Sequence, residues 1–393
     1  MEKNKIDFSN RWVQALILLV ITAVPFLFYI FGRVDLVGAD SYYFMNEICS
    51  NGLFKSDTAL TGMIFSILPC NIIVAKLVLF LCCFVSVLLL ARIGSLFNTK
   101  YGWTTGFLVF LIPDFFFTFL KFENDAVSVP FLLLATFFFF KKKKFDHFIA
   151  IFFLIIAGLI WEGTIFYAIG LGLSSWIIGI FAAILIVWKI VPIIAVLVPD
   201  WTVQENIFGA SFRSILFGYF GLLKTYRVLL PQIIFFLLLG MWKAKFIFLV
   251  APFLAIGLMK FVSSLSPKLQ KWAYYVALLF ILSECISLLY FMPTIDQTEA
   301  VKFAIAESGD GFVQNDWDFG HWVIFYGGST ESRFHSSWQR EFGEGIVLSK
   351  HFQPDCVVLK EFKDVNVYRC SSVRLTSTIE NDFEDSVIIR EVE

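Results

Sequence analysis

Apolar residues run along this chain in long blocks separated by short polar breaks, and the blocks fill residues 13 to 292. A helix needs about 20 such residues to cross a bilayer, fewer inside a crowded bundle. The pattern predicts spanning helices over 13–32, 71–91, 104–120, 126–140, 147–161, 163–176, 177–198, 208–223, 229–241, 246–260 and 272–292, about eleven in all. After residue 292 the pattern changes to charges and short apolar–polar alternations, which suit half-buried strands. The expectation is a polytopic α-helical membrane domain over residues 1–292, followed by a small water-facing α/β domain over residues 293–393.

Composition agrees with lipid as the main solvent. Of 393 residues, 58% are hydrophobic, 49 are Phe, and the mean hydropathy is +0.78; a soluble domain has no place for that much apolar surface. A net charge of −1 gives no reason to expect a nucleic-acid partner. The cysteines lack zinc-ligand spacing; Cys356 and Cys370 can pair or stay as buried thiols. Residues 13–32 exceed a typical signal-peptide core and read as a first span.

Charge then orients the bundle. With the N-terminus in the cytoplasm, Lys3, Lys5, Arg11, Arg92, Lys100, Lys141 to Lys144, Lys224, Arg227, Lys260, Lys268 and Lys271 all fall inside, as the positive-inside rule requires. Asp35, Asp40, Glu47, Asp57, Glu123, Asp125, Glu162, Asp200 and Glu205 fall on the other face together with the C-terminal domain. Carboxylates near lipid are costly unless solvated, paired or metal-bound, so several acidic loops at one rim make a candidate site.

The loops carry local patterns. The first outer loop reads Gly38-Ala39-Asp40-Ser41-Tyr42-Tyr43-Phe44, and the second reads Lys121-Phe122-Glu123-Asn124-Asp125. Two carboxylates two residues apart suit a hard cation with oxygen ligands. Further along come Trp161-Glu162-Gly163, then Thr202-Val203-Gln204-Glu205, then Lys243-Ala244-Lys245-Phe246. In the C-terminal domain stands Asp316-Trp317-Asp318-Phe319-Gly320-His321-Trp322.

In this order the patterns resemble those of the oligosaccharyltransferase catalytic subunits, within the GT-C glycosyltransferase superfamily. The resemblance covers most of the chain, and its most specific part is Trp317-Asp318-Phe319-Gly320, similar to the W-W-D-Y-G hallmark. It implies a shortened GT-C-like fold with the C-terminal domain extracytoplasmic. It also implies roles: Asp40 and Glu205 as catalytic residues holding the acceptor asparagine, and Asp40, Glu123 and Asp125 as ligands of Mg²⁺ or Mn²⁺. Lys245 and Lys243 would bind the donor phosphate, and Trp317, Asp318, Phe319 and Gly320 would bind the acceptor sequon. The implied partners are the lipid bilayer, a polyprenyl-(pyro)phosphate-linked glycan and an acceptor polypeptide, with the protein acting as a single subunit.

The chain departs from the family in several ways. Asp316 replaces the first Trp of the hallmark, the Arg usual upstream of the second acidic motif is missing with Lys121 as the candidate substitute, and Lys245 replaces another Arg. The second sequon-reading motif is not found, and the spans are fewer. Another GT-C enzyme, moving a lipid-linked sugar to a lipid, glycan or hydroxyl acceptor, fits the same loop acids. A transporter, flippase or degenerate accessory subunit is a third reading. Transporters keep ionisable groups near mid-membrane and often show inverted repeats; only Lys76, Lys189 and Glu284 fall inside predicted helices, and no repeat is visible.

Overall fold

The computed structural model describes residues 10–32, 35–49, 67–141, 145–188, 219–242, 244–289, 292–309, 311–315, 319–330, 340–342, 345–350, 353, 356–363, 365–371 and 373–375. Helices dominate as far as residue 308. In chain order they are α1 (Arg11–Phe31), α2 (Ala39–Cys49), α3 (Ile72–Phe97), α4 (Thr105–Leu108), α5 (Pro113–Thr118), α6 (Asn124–Lys141), α7 (Asp146–Ile160), α8 (Thr164–Gly172), α9 (Trp176–Trp188), α10 (Leu230–Trp242), α11 (Ala251–Ser263), α12 (Pro267–Leu289) and α13 (Met292–Ser308). Among the described residues α1, α3 and α6 are long and apolar enough to cross a membrane, and five further apolar helices are shorter.

Local chemistry sets the boundaries of the long helices. Asn10 starts α1 by accepting from the Trp12 N–H at 2.9 Å. Asn71 starts α3 by accepting from Ile73 N–H at 2.8 Å. These caps satisfy donors that would otherwise face lipid headgroups unpaired. At the far end of α3, the Asn98 N–H closes on the Gly94 carbonyl at 2.9 Å. Along α1 and α3, Leu16, Val20, Leu27, Leu77, Leu81 and Val85 stay exposed, as helices facing lipid allow.

The predicted span 104–120 is not one helix. It divides into 3₁₀ turns around α4 and a separate α5 that begins at Pro113. Proline lacks an N–H and opens a helix more readily than it continues one. Likewise the predicted span 246–260 is a 3₁₀ stretch, Ala244–Leu249, followed by α11, which has Pro252 in its first turn. Most of 208–223 lies outside the described residues.

Aromatic side chains fill the interior. Phe26 of α1 meets Phe80 of α3 and Phe116 of α5 edge-on, at 5.5 and 5.7 Å between ring centroids. Deeper in the bundle, Phe236 lies between Tyr167 and Phe253, at 5.3 and 5.6 Å. Such pairs add about 1 kcal/mol each beyond the area they bury. Where α3 crosses α4 the backbones come close enough to need glycine: a Cβ on Gly106 would stand 2.5 Å from the Val87 carbonyl oxygen. Small residues at helix crossings let backbones approach within the membrane.

The strands all follow α13. They are β1 (Val313–Asn315), β2 (Arg340–Phe342), β3 (Gly345–Ser349), β4 (Cys356–Glu361), β5 (Asn366–Cys370) and β6 (Val373–Leu375). One sheet has the order β1-β3-β5-β4, with β1 parallel to β3 and the other pairs antiparallel. A small ribbon pairs β2 with β6. Cys356 faces Cys370 in the register and forms a disulfide with it, which settles the pairing the sequence left open. Helix α13 packs on β3 and β5 through a face that includes the buried Ala300, Val301 and Ala304. A short helix, α14 (Gly320–Phe325), follows β1.

Gly106→Ala is expected to destabilise the protein by about 1–3 kcal/mol through overpacking, read as a lower unfolding temperature in detergent. Gly158→Ala meets nothing closer than 3.9 Å and should leave that temperature unchanged or raise it. Equal effects would show that the α3–α4 crossing is not tight.

Candidate functional site

Helix α2 follows directly on Gly38, whose φ of +87° suits glycine. Ser41 fastens this start in two directions. Its Oγ donates to the Val37 carbonyl at 2.6 Å and accepts from the Phe122 N–H at 2.9 Å. Ser41 is fully buried, so both bonds form away from water. They tie the first acidic loop to the second, 81 residues later in the chain. A Cβ on Gly38 would lie 3.4 Å from Glu123 Oε1, so the Glu123 carboxylate rests against the turn that leads into α2. Lys121 Nζ lies 3.9 Å from the same Oε1.

The far end of α2 is held by a disulfide between Cys49 and Cys70, one residue before the cap of α3. Its inner face packs on α14. The Tyr42 ring lies 4.4 Å from the Trp322 ring and 5.4 Å from Phe325. Tyr43 meets His321 edge-on at 5.1 Å, and the Asn46 side-chain amide donates to the His321 carbonyl at 2.9 Å.

Against this geometry the sequence-derived residues fall as follows. Asp40 sits in the first turn of α2, with its side chain outside the described residues. Glu123 is beside that turn. Asp125 lies in the first turn of α6 and accepts from the Ala126 N–H at 2.7 Å, so one of its oxygens is committed to its own helix. Glu205, Lys243, Trp317 and Asp318 lie outside the described residues, and Lys245 is placed in the 3₁₀ stretch Ala244–Leu249 by its backbone alone. That stretch reaches the Trp161 turn, where the Trp161 ring stands 5.9 Å from Phe246 and 5.6 Å from Phe248. Phe319 and Gly320 are buried, Phe319 at 1% exposure. Among the described residues no three His, Cys, Asp or Glu side chains gather as a metal set.

Sequence reasoning named Asp35 among the outer acids and Lys76 as a charge inside a helix, but not the polar partnerships that form around α2. Tyr326 Oη donates to Asp35 Oδ2, and Lys302 Nζ lies 3.5 Å from the same oxygen. Tyr42 Oη lies 3.5 Å from Tyr326 Oη and accepts from the Leu36 N–H at 3.3 Å. Below them, Lys76 of α3 is buried; its Nζ donates to the Tyr29 carbonyl at 2.9 Å and lies 4.5 Å above the Tyr29 ring. Tyr29 Oη in turn donates to the Leu120 carbonyl at 2.7 Å, just before the second acidic loop. For Lys76 the signal was visible: an ammonium one turn inside a long apolar helix marks a functional candidate by default.

Burial pushes the Tyr42 hydroxyl up to about 12, and the nearby Asp35 charge adds to that. Burial also pushes Tyr326 well above its ordinary range, with Tyr42 and Asp35 acting in the same direction. Both hydroxyls therefore stay protonated near neutral pH and available as donors.

No family model matches this chain, and no curated protein matches it. Among solved structures it is similar to ArnT from Cupriavidus metallidurans, determined bound to undecaprenyl phosphate. The TM-score is 0.57 at 10% identity, over 91% of this chain and 98% of that one. At that identity the likeness is one of fold: the helical chain has an ArnT-like architecture.

A tyrosine with a raised folded-state pKa contributes stability that is complete below its unfolded value of 10.0 and is lost as pH climbs towards about 12. Wild type should therefore lose thermal stability more steeply than Tyr42→Phe across that alkaline window. Parallel curves would contradict the buried, protonated Tyr42.

Proposed function

We propose that this protein transfers a sugar from a polyprenyl-(pyro)phosphate carrier to an acceptor at the non-cytoplasmic face of the membrane. The observation that carries this reading is the fastening of the Asp40-bearing turn to the Glu123 loop through Ser41, inside a fold like that of ArnT. It brings two acidic loops, distant in sequence, to one end of the bundle.

The reaction needs three things. The acceptor must lose a proton as it attacks the anomeric carbon. The bond from that carbon to the phosphate oxygen must break. The departing lipid phosphate must keep the bonding pair with its charge offset. Asp40 takes the acceptor proton, and Glu205 helps to hold the acceptor. Lys76, Lys245 and Lys243 are the cations proposed to offset the phosphate charge, which lowers the barrier most when the cations are already in place. For Mg²⁺ or Mn²⁺, Asp40, Glu123 and Asp125 carry the proposal, with one Asp125 oxygen also accepting from the Ala126 N–H. Such an ion supplies Lewis-acid stabilisation of the phosphate when bound.

Two acceptor classes follow from different observations. Trp317 and Asp318, by resemblance, favour an asparagine in a peptide and so protein N-glycosylation. The burial of Phe319 and Gly320 favours a lipid, glycan or hydroxyl acceptor instead, because half of the hallmark is then packing rather than a surface for a peptide.

Asp40→Ala and Glu205→Ala are expected to abolish transfer from a lipid-linked donor while leaving expression and unfolding temperature unchanged. Transfer assayed in parallel with peptide and lipid acceptors identifies the class, and EDTA followed by Mg²⁺ or Mn²⁺ tests the metal. Undiminished transfer by Asp40→Ala would overturn the assignment.

A further inference from the structure

We infer that Asp35 is a positioning residue for Asp40, acting through a latch to the C-terminal part of the chain. The inference deepens the transferase reading above and rests on it for its kinetic consequence. Asp35 stands five residues before Asp40, and the segment between them is closed on itself: the Leu36 N–H donates to Tyr42 Oη at 3.3 Å, and Leu36 is fully buried. The outer side of the segment is held by groups from far along the chain. Tyr326 Oη donates to Asp35 Oδ2. Lys302 Nζ approaches the same oxygen at 3.5 Å and lies 4.6 Å above the Tyr326 ring. The latch thus joins the first loop to α13 and to the residue that ends α14.

The arrangement also separates Asp35 from the reacting acid. Its carboxylate already accepts a hydrogen bond from Tyr326 and faces the Lys302 ammonium. A carboxylate so engaged serves as an anchor. The Tyr42 ring completes the joint by packing on Trp322 and Phe325 of α14. Releasing Asp35 therefore frees the start of α2, and with it the backbone that carries Asp40, while Ser41 still holds the Phe122 N–H.

The test uses the full-length protein in nanodiscs, with amide hydrogen exchange and transfer kinetics measured on the same samples. Asp35→Asn and Tyr326→Phe are each expected to raise exchange over residues 36–49. Each should lower kcat by about 100-fold with the donor KM within about twofold, since misplacing a reacting group by an ångström costs that much. The double variant should be no worse than the more severe single variant, because the two residues share one bond, and Asp35→Glu should recover part of kcat. Glu307→Gln, which breaks the ion pair to Arg369 on the other side of α13, should change neither readout. Unaltered exchange over 36–49 or additive losses in the double variant would overturn the latch. A wild-type protein that transfers sugar to no acceptor would overturn the transferase reading, while the exchange data would still decide the latch.

Discussion

A polar loop at the edge of a lipid bilayer cannot leave its backbone groups unpaired, because neither lipid nor a packed aromatic interior offers replacement partners. Ser41 meets that constraint for two loops at once. Its buried hydroxyl accepts from the Phe122 N–H and donates to the Val37 carbonyl. Without it, an amide of the second loop would lose a buried hydrogen bond, at a cost of about 1–3 kcal/mol. The same pair of bonds sets where the first turn of α2 sits relative to Glu123. Stability and the placement of the acidic groups are therefore one interaction seen from two sides.

Everything else around α2 reinforces that placement. A disulfide fixes its far end to the start of α3, and an aromatic face fixes its inner side to α14. Beneath it, Lys76 and Tyr29 link α3, α1 and the residue before the second loop by hydrogen bonds. A buried ammonium is expensive. Here a carbonyl and an aromatic ring engage it, at the end of the bundle where the acidic loops meet. The surrounding Phe pairs give these polar contacts a stiff frame, because close-packed rings leave little room for adjustment.

The helical architecture was legible because its cause is local. Long apolar runs such as 13–32 and 71–91 announce their helices, and α1 and α3 follow them closely. The span 104–120 was misread as continuous because average hydropathy ignores where a proline falls; Pro113 starts a new helix in the middle of the run. Charge sorting predicted that the acidic loops share one face; the Ser41–Phe122 bond joins the first two, and no sequence pattern gave their mutual distances. The partnership of Asp35 with Tyr326 spans 291 positions, and no periodicity or spacing encodes such a meeting. Lys76 was visible as an intramembrane charge, yet its neighbours were not, so it read as an isolated oddity.

The Trp-Asp-Phe-Gly stretch shows how a motif and its environment can argue differently. As letters, residues 317–320 resemble a peptide-binding hallmark. In the fold, Phe319 is buried, Gly320 opens α14, and Trp322 two residues later packs against Tyr42. A buried aromatic, a small residue and a second aromatic are what the seating of α2 on the C-terminal elements requires, with or without a peptide. The letters that survive from the hallmark are thus partly accounted for by packing. Its first Trp is replaced by Asp316.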